Sequence, residues 1–125
     1  MPHEDGPAYH PMVATISLGS PIVLDVFEKN EIKHPEGKRV PKWRILQEPR
    51  SLLVTTGDLY TSHLHGIAGV EVDEDLGPET IASWGLLGDR EAFAEGRNVR
   101  GVRISLTYRD VLRVSNLGAK ILGRR

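Results

Sequence analysis

Through the first half of the chain, short apolar runs alternate with Gly, Pro and charged breaks, the pattern of short β-strands. Residues 12–18 (Met-Val-Ala-Thr-Ile-Ser-Leu) place Met12, Ala14, Ile16 and Leu18 on one face of a predicted strand. Gly19-Ser20-Pro21 supplies a turn, and residues 22–27 read as the next strand. Residues 43–46 and 51–55 read as two more, joined through Glu48-Pro49-Arg50. A turn is predicted over 57–62 and a strand over 65–72. The clearest strand is 102–108, rich in Val, Ile, Leu, Thr and Tyr.

Three segments break this rhythm. Residues 28–42 are polar and carry Pro35, Gly37 and Pro41, which predicts an exposed loop. Residues 79–93 predict a short helix opening at Pro78-Glu79-Thr80, weakened by Gly85 and Gly88. The tail, 110–125, carries Val111, Leu112, Val114, Leu117, Ile121 and Leu122, suited to a short helix or an extra strand packed on the sheet. Six short strands, many turns and little helix predict a mainly β single domain over 1–125, a sandwich, jelly roll or barrel.

Composition narrows the chemistry. The 125 residues suffice for a real core. A formal net charge of -1 gives no global field toward nucleic acid or an anionic membrane, so polyanion binding would rest on local patches. With no cysteine, disulfides, zinc–thiolate sites, iron–sulfur clusters and thiol nucleophiles are excluded, and metal chemistry falls to His, Asp and Glu. No run approaches the ~18 apolar residues of a membrane helix, and the first residues lack the basic and apolar regions of a signal peptide. The expectation is a soluble intracellular protein.

His3-Glu4-Asp5 is the first candidate site. On an extended backbone, residues two apart point to the same side, so His3 and Asp5 can reach one ion. His65, in Leu64-His65-Gly66-Ile67, would supply a second imidazole from a distant strand. Two histidines and one carboxylate form the facial triad of non-haem iron(II) oxygenases, which leaves positions open for substrate and oxygen. His63 competes with His65, since both share a strand face. His65 is preferred because the following Gly permits close approach. His10 and His34, in Pro-flanked stretches, read as solvated.

Arg103, Ser105, Thr107 and Arg109 share one face of the 102–108 strand region; Val102, Ile104, Leu106 and Tyr108 share the other. The apolar face is expected to join a core, and the polar face to meet solvent or line a polar cavity. At ~3.3 Å per residue, the two arginine Cα atoms stand ~20 Å apart, so they serve opposite ends of any small anion. Arg103 suits a distal carboxylate through a bidentate pair; Arg109 would lie toward the other end or the rim, with Ser105 and Thr107 adding hydroxyls.

The ordered set His3-Glu4-Asp5, Ile16-Ser17-Leu18-Gly19-Ser20, Glu48-Pro49-Arg50-Ser51-Leu52-Leu53-Val54, Leu64-His65-Gly66-Ile67 and Arg103–Arg109 resembles the AlkB family of iron(II)/2-oxoglutarate dioxygenases. His-Glu-Asp-Gly-Pro-x-Tyr and Ser-Leu-Leu-Val point to the homologue six branch. The resemblance implies a double-stranded β-helix, or jelly roll. It also implies that His3, Asp5 and His65 hold Fe(II), and that Arg103 and Arg109, with Ser105 between them, bind 2-oxoglutarate. The implied reaction uses O2 to turn 2-oxoglutarate into succinate and carbon dioxide while hydroxylating an N-methyl group on a nucleobase, with formaldehyde leaving. The expected substrate is alkylated RNA or DNA, met in the nucleus or cytoplasm. The family's Asn-x-Tyr motif, first strands and nucleotide-recognition lid precede the His-x-Asp and have no counterpart here. The expected fold is therefore an incomplete jelly roll missing its first strands, one not expected to fold stably alone.

The remaining signals are weaker. Trp43 is expected to pack in the sheet and Trp84 to anchor the 79–93 segment. Lys38, Arg39, Lys42 and Arg44, and Lys120, Arg124 and Arg125, read as solvated basic groups that could also touch phosphates. Asp73-Glu74-Asp75 reads as solvated. The alternative to an enzyme is a non-catalytic β-domain that binds nucleic acid or a protein, and such binding would survive chelation or loss of His3 or Asp5.

Overall fold

Period-two alternation decides the frame. The structure, a computed structural model, describes residues 1–5, 9–29 and 37–111. Among them, β1 (Tyr9–Gly19), β4 (Ser51–Thr56) and β8 (Arg103–Val111) form an antiparallel sheet in the order β4-β1-β8. A second antiparallel sheet has the order β3-β2-β5, from β2 (Ile22–Glu28), β3 (Trp43–Gln47) and β5 (His63–Gly66). A short pair, β6 (Val72–Asp73) and β7 (Asn98–Val99), stands apart, and one helical turn, α1 (Asp58–Thr61), precedes β5. The chain is mainly β and antiparallel, in keeping with a jelly-roll-like fold.

Gly19 makes the β1–β2 turn possible. Its φ is +82°, where glycine alone is unstrained, and an added Cβ would stand 2.4 Å from the Val102 carbonyl oxygen. That carbonyl accepts the Ser20 amide at 2.8 Å, joining the turn to the approach to β8.

Register fixes which side chains face inward. Val13 pairs with Thr55 and Arg109, Thr15 with Leu53 and Thr107, and Ser17 with Ser51 and Ser105. These rows face the second sheet, where Leu24, Val26 and Ile45 point back across a cavity of about 390 Å³. The hydrophobic core lies elsewhere, on the outer side of the second sheet. There Val23 and Leu46 pack with Leu76, Ile81, Leu87 and Phe93, and Trp84 closes against them as expected.

The expectation for β8 is overturned in one respect. Its polar face is the inward one, and its apolar face is exposed: Ile104 is 55% and Tyr108 58% accessible. Ile104 pairs with Leu18, Leu106 and exposed Leu52 with Ile16, and Tyr108 and Val54 with Ala14, so the outer side of this sheet is a continuous apolar surface. Alternation sorts residues into two faces but does not say which face is covered.

Other corrections have local causes. The predicted helix over 79–93 is two 3-10 turns, Trp84–Leu86 and Glu91–Phe93. Its polar groups serve β3 instead of a helix. The Ala82 amide donates to the Arg44 carbonyl (2.8 Å), and the Ser83 hydroxyl accepts from the Leu46 amide (3.1 Å). The segment thus covers the edge of β3, which would otherwise offer unpaired backbone groups. The Glu48 carboxylate fixes the next bend by accepting the Gly88 and Asp89 amides at 2.7 and 3.0 Å. The predicted strand over 65–72 stops at Gly66; residues 67–71 leave the sheet, held where Arg100 donates to the Ala68 carbonyl (2.6 Å). Asp73 is not solvated but 3% exposed, bound by Arg100 (2.6 Å) and Asn98 (3.1 Å).

The predicted turn over 57–62 contains α1. Residues 30–36 of the 28–42 loop, His34 included, and most of the tail lie outside the described residues, whereas His10 lies in β1.

Candidate metal and anion site

The first five residues run alongside β5. The His3 amide donates to the His65 carbonyl (2.9 Å) and the His65 amide to the His3 carbonyl (3.0 Å). This isolated antiparallel bridge carries the start of the chain to the open edge of the second sheet. Gly66 makes the approach possible, since a Cβ there would lie 3.1 Å from Pro2 Cα. Glu4 adds an ion pair with Lys29.

The bridge brings together the side chains singled out from the sequence. One ligand atom from each of His3, Asp5 and His65 lies within 4.8 Å of the others, and the two imidazole rings stand 4.5 Å apart between centroids. Burial lowers the His65 pKa, and the neighbouring His3 lowers it further, against the opposing pull of Asp5. His65 therefore holds its neutral, lone-pair-bearing form down to lower pH than an ordinary histidine. His3 Nδ1 lies 3.2 Å from the Met1 carbonyl, which can only accept, so in the neutral ring Nδ1 carries the proton and Nε2 the lone pair. Two imidazole nitrogens and a carboxylate so close together fit a divalent transition metal.

His63 does not join them. Its Nδ1 is 2.9 Å from the Asp58 carbonyl and its ring lies against Trp43. Trp43 sits in β3 as expected, but it is 37% exposed, with Lys42 over its ring. Part of the basic run 38–44 is spent within the chain: Lys42 pairs with Glu28, Arg39 donates to the Glu28 carbonyl, and Arg44 reaches Asp25 and two carbonyls.

Arg103, Ser105, Thr107 and Arg109 all line the cavity, as do His3, Asp5 and His65. Arg109 donates to Asp5 (2.8 Å), placing this arginine beside the ligand cluster. Arg103 lies six residues back along β8, over the other part of the cavity. Its Nη2 donates to Ser17 Oγ (2.8 Å) and Gln47 Oε1 (3.4 Å), while its Nε is buried without a partner. Among the described residues no carboxylate pairs with it. Sequence reasoning passed over Ser17 and Gln47. Their signal was a polar side chain on the inward face of an otherwise apolar strand.

The cavity thus has a His/His/Asp cluster at one end, an arginine without a counter-ion at the other, and Leu24, Val26, Ile45 and Leu53 as an apolar wall between. An antiparallel β-fold with this constellation has the layout of a metal site beside an anion-binding site. No protein-family model matches the chain. It is 36% identical over 118 residues to a Danio rerio protein described as "Probable RNA/DNA demethylase ALKBH6". The match takes in 91% of this chain and 48% of that relative, so the chain spans about half the length of the curated protein it matches. The chain is an AlkB-like relative. Among the described residues, no helix is long and apolar enough to cross a membrane.

Proposed function

We propose that this chain carries the metal- and cosubstrate-binding part of an iron(II)- and 2-oxoglutarate-dependent dioxygenase that demethylates nucleic acid. The observation that carries the reading is one cavity with His3, Asp5 and His65 at one end and, at the other, the guanidinium of Arg103, which has no carboxylate partner among the described residues. The kinship to a probable RNA/DNA demethylase supplies the substrate class.

In this reading His3, Asp5 and His65 hold the metal. Bound iron(II) would supply the redox chemistry by which O2 gives one oxygen atom to 2-oxoglutarate, leaving succinate and carbon dioxide, and the other to an N-methyl carbon. The protein's own part is orientation and charge. His65 presents a neutral nitrogen at physiological pH. Arg109 fixes the Asp5 carboxylate and adds positive charge beside the acid end of the cosubstrate. Arg103 receives the distal carboxylate in a charge-assisted pair, with Ser105 and Thr107 offering hydroxyl donors from the same face. The apolar wall excludes water along the cosubstrate's methylenes and strengthens the ionic contacts at each end.

The test is succinate release from 2-oxoglutarate in the presence of iron(II), ascorbate and a methylated oligonucleotide. Turnover that His65→Ala abolishes supports the reading. Absence of succinate from the intact protein, with His65→Ala indistinguishable from it, rejects it. It would leave the non-catalytic β-domain, whose nucleic-acid binding persists under chelation.

A further inference from the structure

The polar trio joining the two sheets has a chemistry of its own. Ser17 is wholly buried and Gln47 is 4% exposed. Ser17 stands on β1, diagonal to Arg103 on β8; Gln47 ends β3 in the opposite sheet. The Ser17 hydroxyl accepts from Arg103 (2.8 Å) and donates to Gln47 Oε1 (3.1 Å). Because a guanidinium only donates, Gln47 must turn its oxygen toward it. The trio is therefore a directed chain of hydrogen bonds ending on an uncharged acceptor.

That neutrality is informative. This chain meets another part-buried arginine differently: Arg100 is neutralised by the Asp73 carboxylate at two points, 2.6 and 3.0 Å. A half-buried guanidinium that, among the described residues, is held by neutral oxygens keeps its full charge in a low-dielectric setting, a state unfavourable until an anion arrives. A carboxylate at position 47 would hold the side chain equally well and cancel its attraction for a ligand.

We propose that Gln47, acting with Ser17, is a positioning and selectivity residue: its amide oxygen orients Arg103 without neutralising it, and so makes this end of the cavity require a ligand with a second carboxylate. The inference rests on the reading of the cavity as a metal and cosubstrate site, and gives it a determinant outside the arginine strand. Gln47 reaches Arg103 from the sheet that contains His65, so it also ties the anion end of the cavity to the metal end.

The experiment is calorimetry of the chain loaded with Mn(II), a redox-inert probe, titrated with 2-oxoglutarate and with pyruvate, which lacks the distal carboxylate. The wild type is expected to prefer 2-oxoglutarate. Gln47→Glu should lower 2-oxoglutarate affinity at least tenfold by supplying Arg103 with an internal counter-ion. Pyruvate affinity, Mn(II) affinity and the thermal midpoint should stay near wild type. Gln47→Met, which removes the oxygen without adding charge, should cost several-fold for 2-oxoglutarate alone. Unchanged preference in Gln47→Glu, or equal losses for both acids together with Mn(II), overturns the inference while the cavity reading stands. Failure of the wild type to bind either acid defeats the cavity reading itself, and this inference with it.

Discussion

His3 and His65 are joined twice, by reciprocal backbone hydrogen bonds of 2.9 and 3.0 Å and by imidazole rings 4.5 Å apart. Gly66 permits this proximity, since a Cβ there would come 3.1 Å from Pro2. Gly66→Val should push the first residues off β5 and weaken Co(II) binding by roughly 10–100-fold, the range typical of disturbed outer-shell support. Spectroscopic Co(II) titration measures it; affinity within twofold of wild type would mean that the bridge does not set the ligand geometry.

The two neighbouring histidines should separate cleanly. His65→Ala is expected to abolish high-affinity Co(II) binding, and His63→Ala to leave it intact, because His63 is engaged with Asp58 and Trp43 and stands outside the cluster. Equal losses in the two variants would refute the assignment of His65.

Arg100→Met should be strongly destabilising. It would strand the Asp73 carboxylate, 3% exposed and bound through two guanidinium nitrogens, at a cost of about 3–5 kcal/mol. The double variant with Asp73→Asn should recover part of the loss, because no uncompensated charge then remains. Chemical denaturation of the single and double variants gives the comparison; a single-variant loss below about 1 kcal/mol contradicts the account.

Asp25 predicts a pH dependence. Burial raises its pKa above 3.8, with Arg44 opposing, and its Oδ1 has no hydrogen-bond partner. A raised folded-state pKa means that the folded protein holds this proton longer than the unfolded chain. Stability from the protonated form is thus fully present below pH 3.8 and is lost as pH rises through the folded value. Asp25→Asn removes that loss, so its thermal midpoint should gain on wild type as pH climbs from about 3.5 to 7. A constant offset across that range would show that Asp25 has no such role.

The strands were legible because their pattern is local. Gly19-Ser20-Pro21 marks its turn, and the 12–18 alternation survives intact in β1. The candidate site was legible because its residue types are themselves the signal, and His3, Asp5, His65, Arg103, Ser105 and Arg109 line one cavity. Three things depended on distant partners and were not visible. The covered side of β8 is set by what lies across the cavity. The backbone of 79–93 is spent on the edge of β3. Asp73 owes its burial to Arg100, 27 residues away. Gln47 escaped notice for the same reason, since its significance lies in an arginine contributed by the other sheet.

The inverted polarity of β8 has a consequence for variation along this strand. Residues 103, 105, 107 and 109 line the cavity, and 104, 106 and 108 stand on the exposed apolar face. A saturation scan through β8 should therefore oscillate residue by residue between two phenotypes, altered ligand affinity and altered solubility. Seven consecutive codons would encode two nearly independent traits.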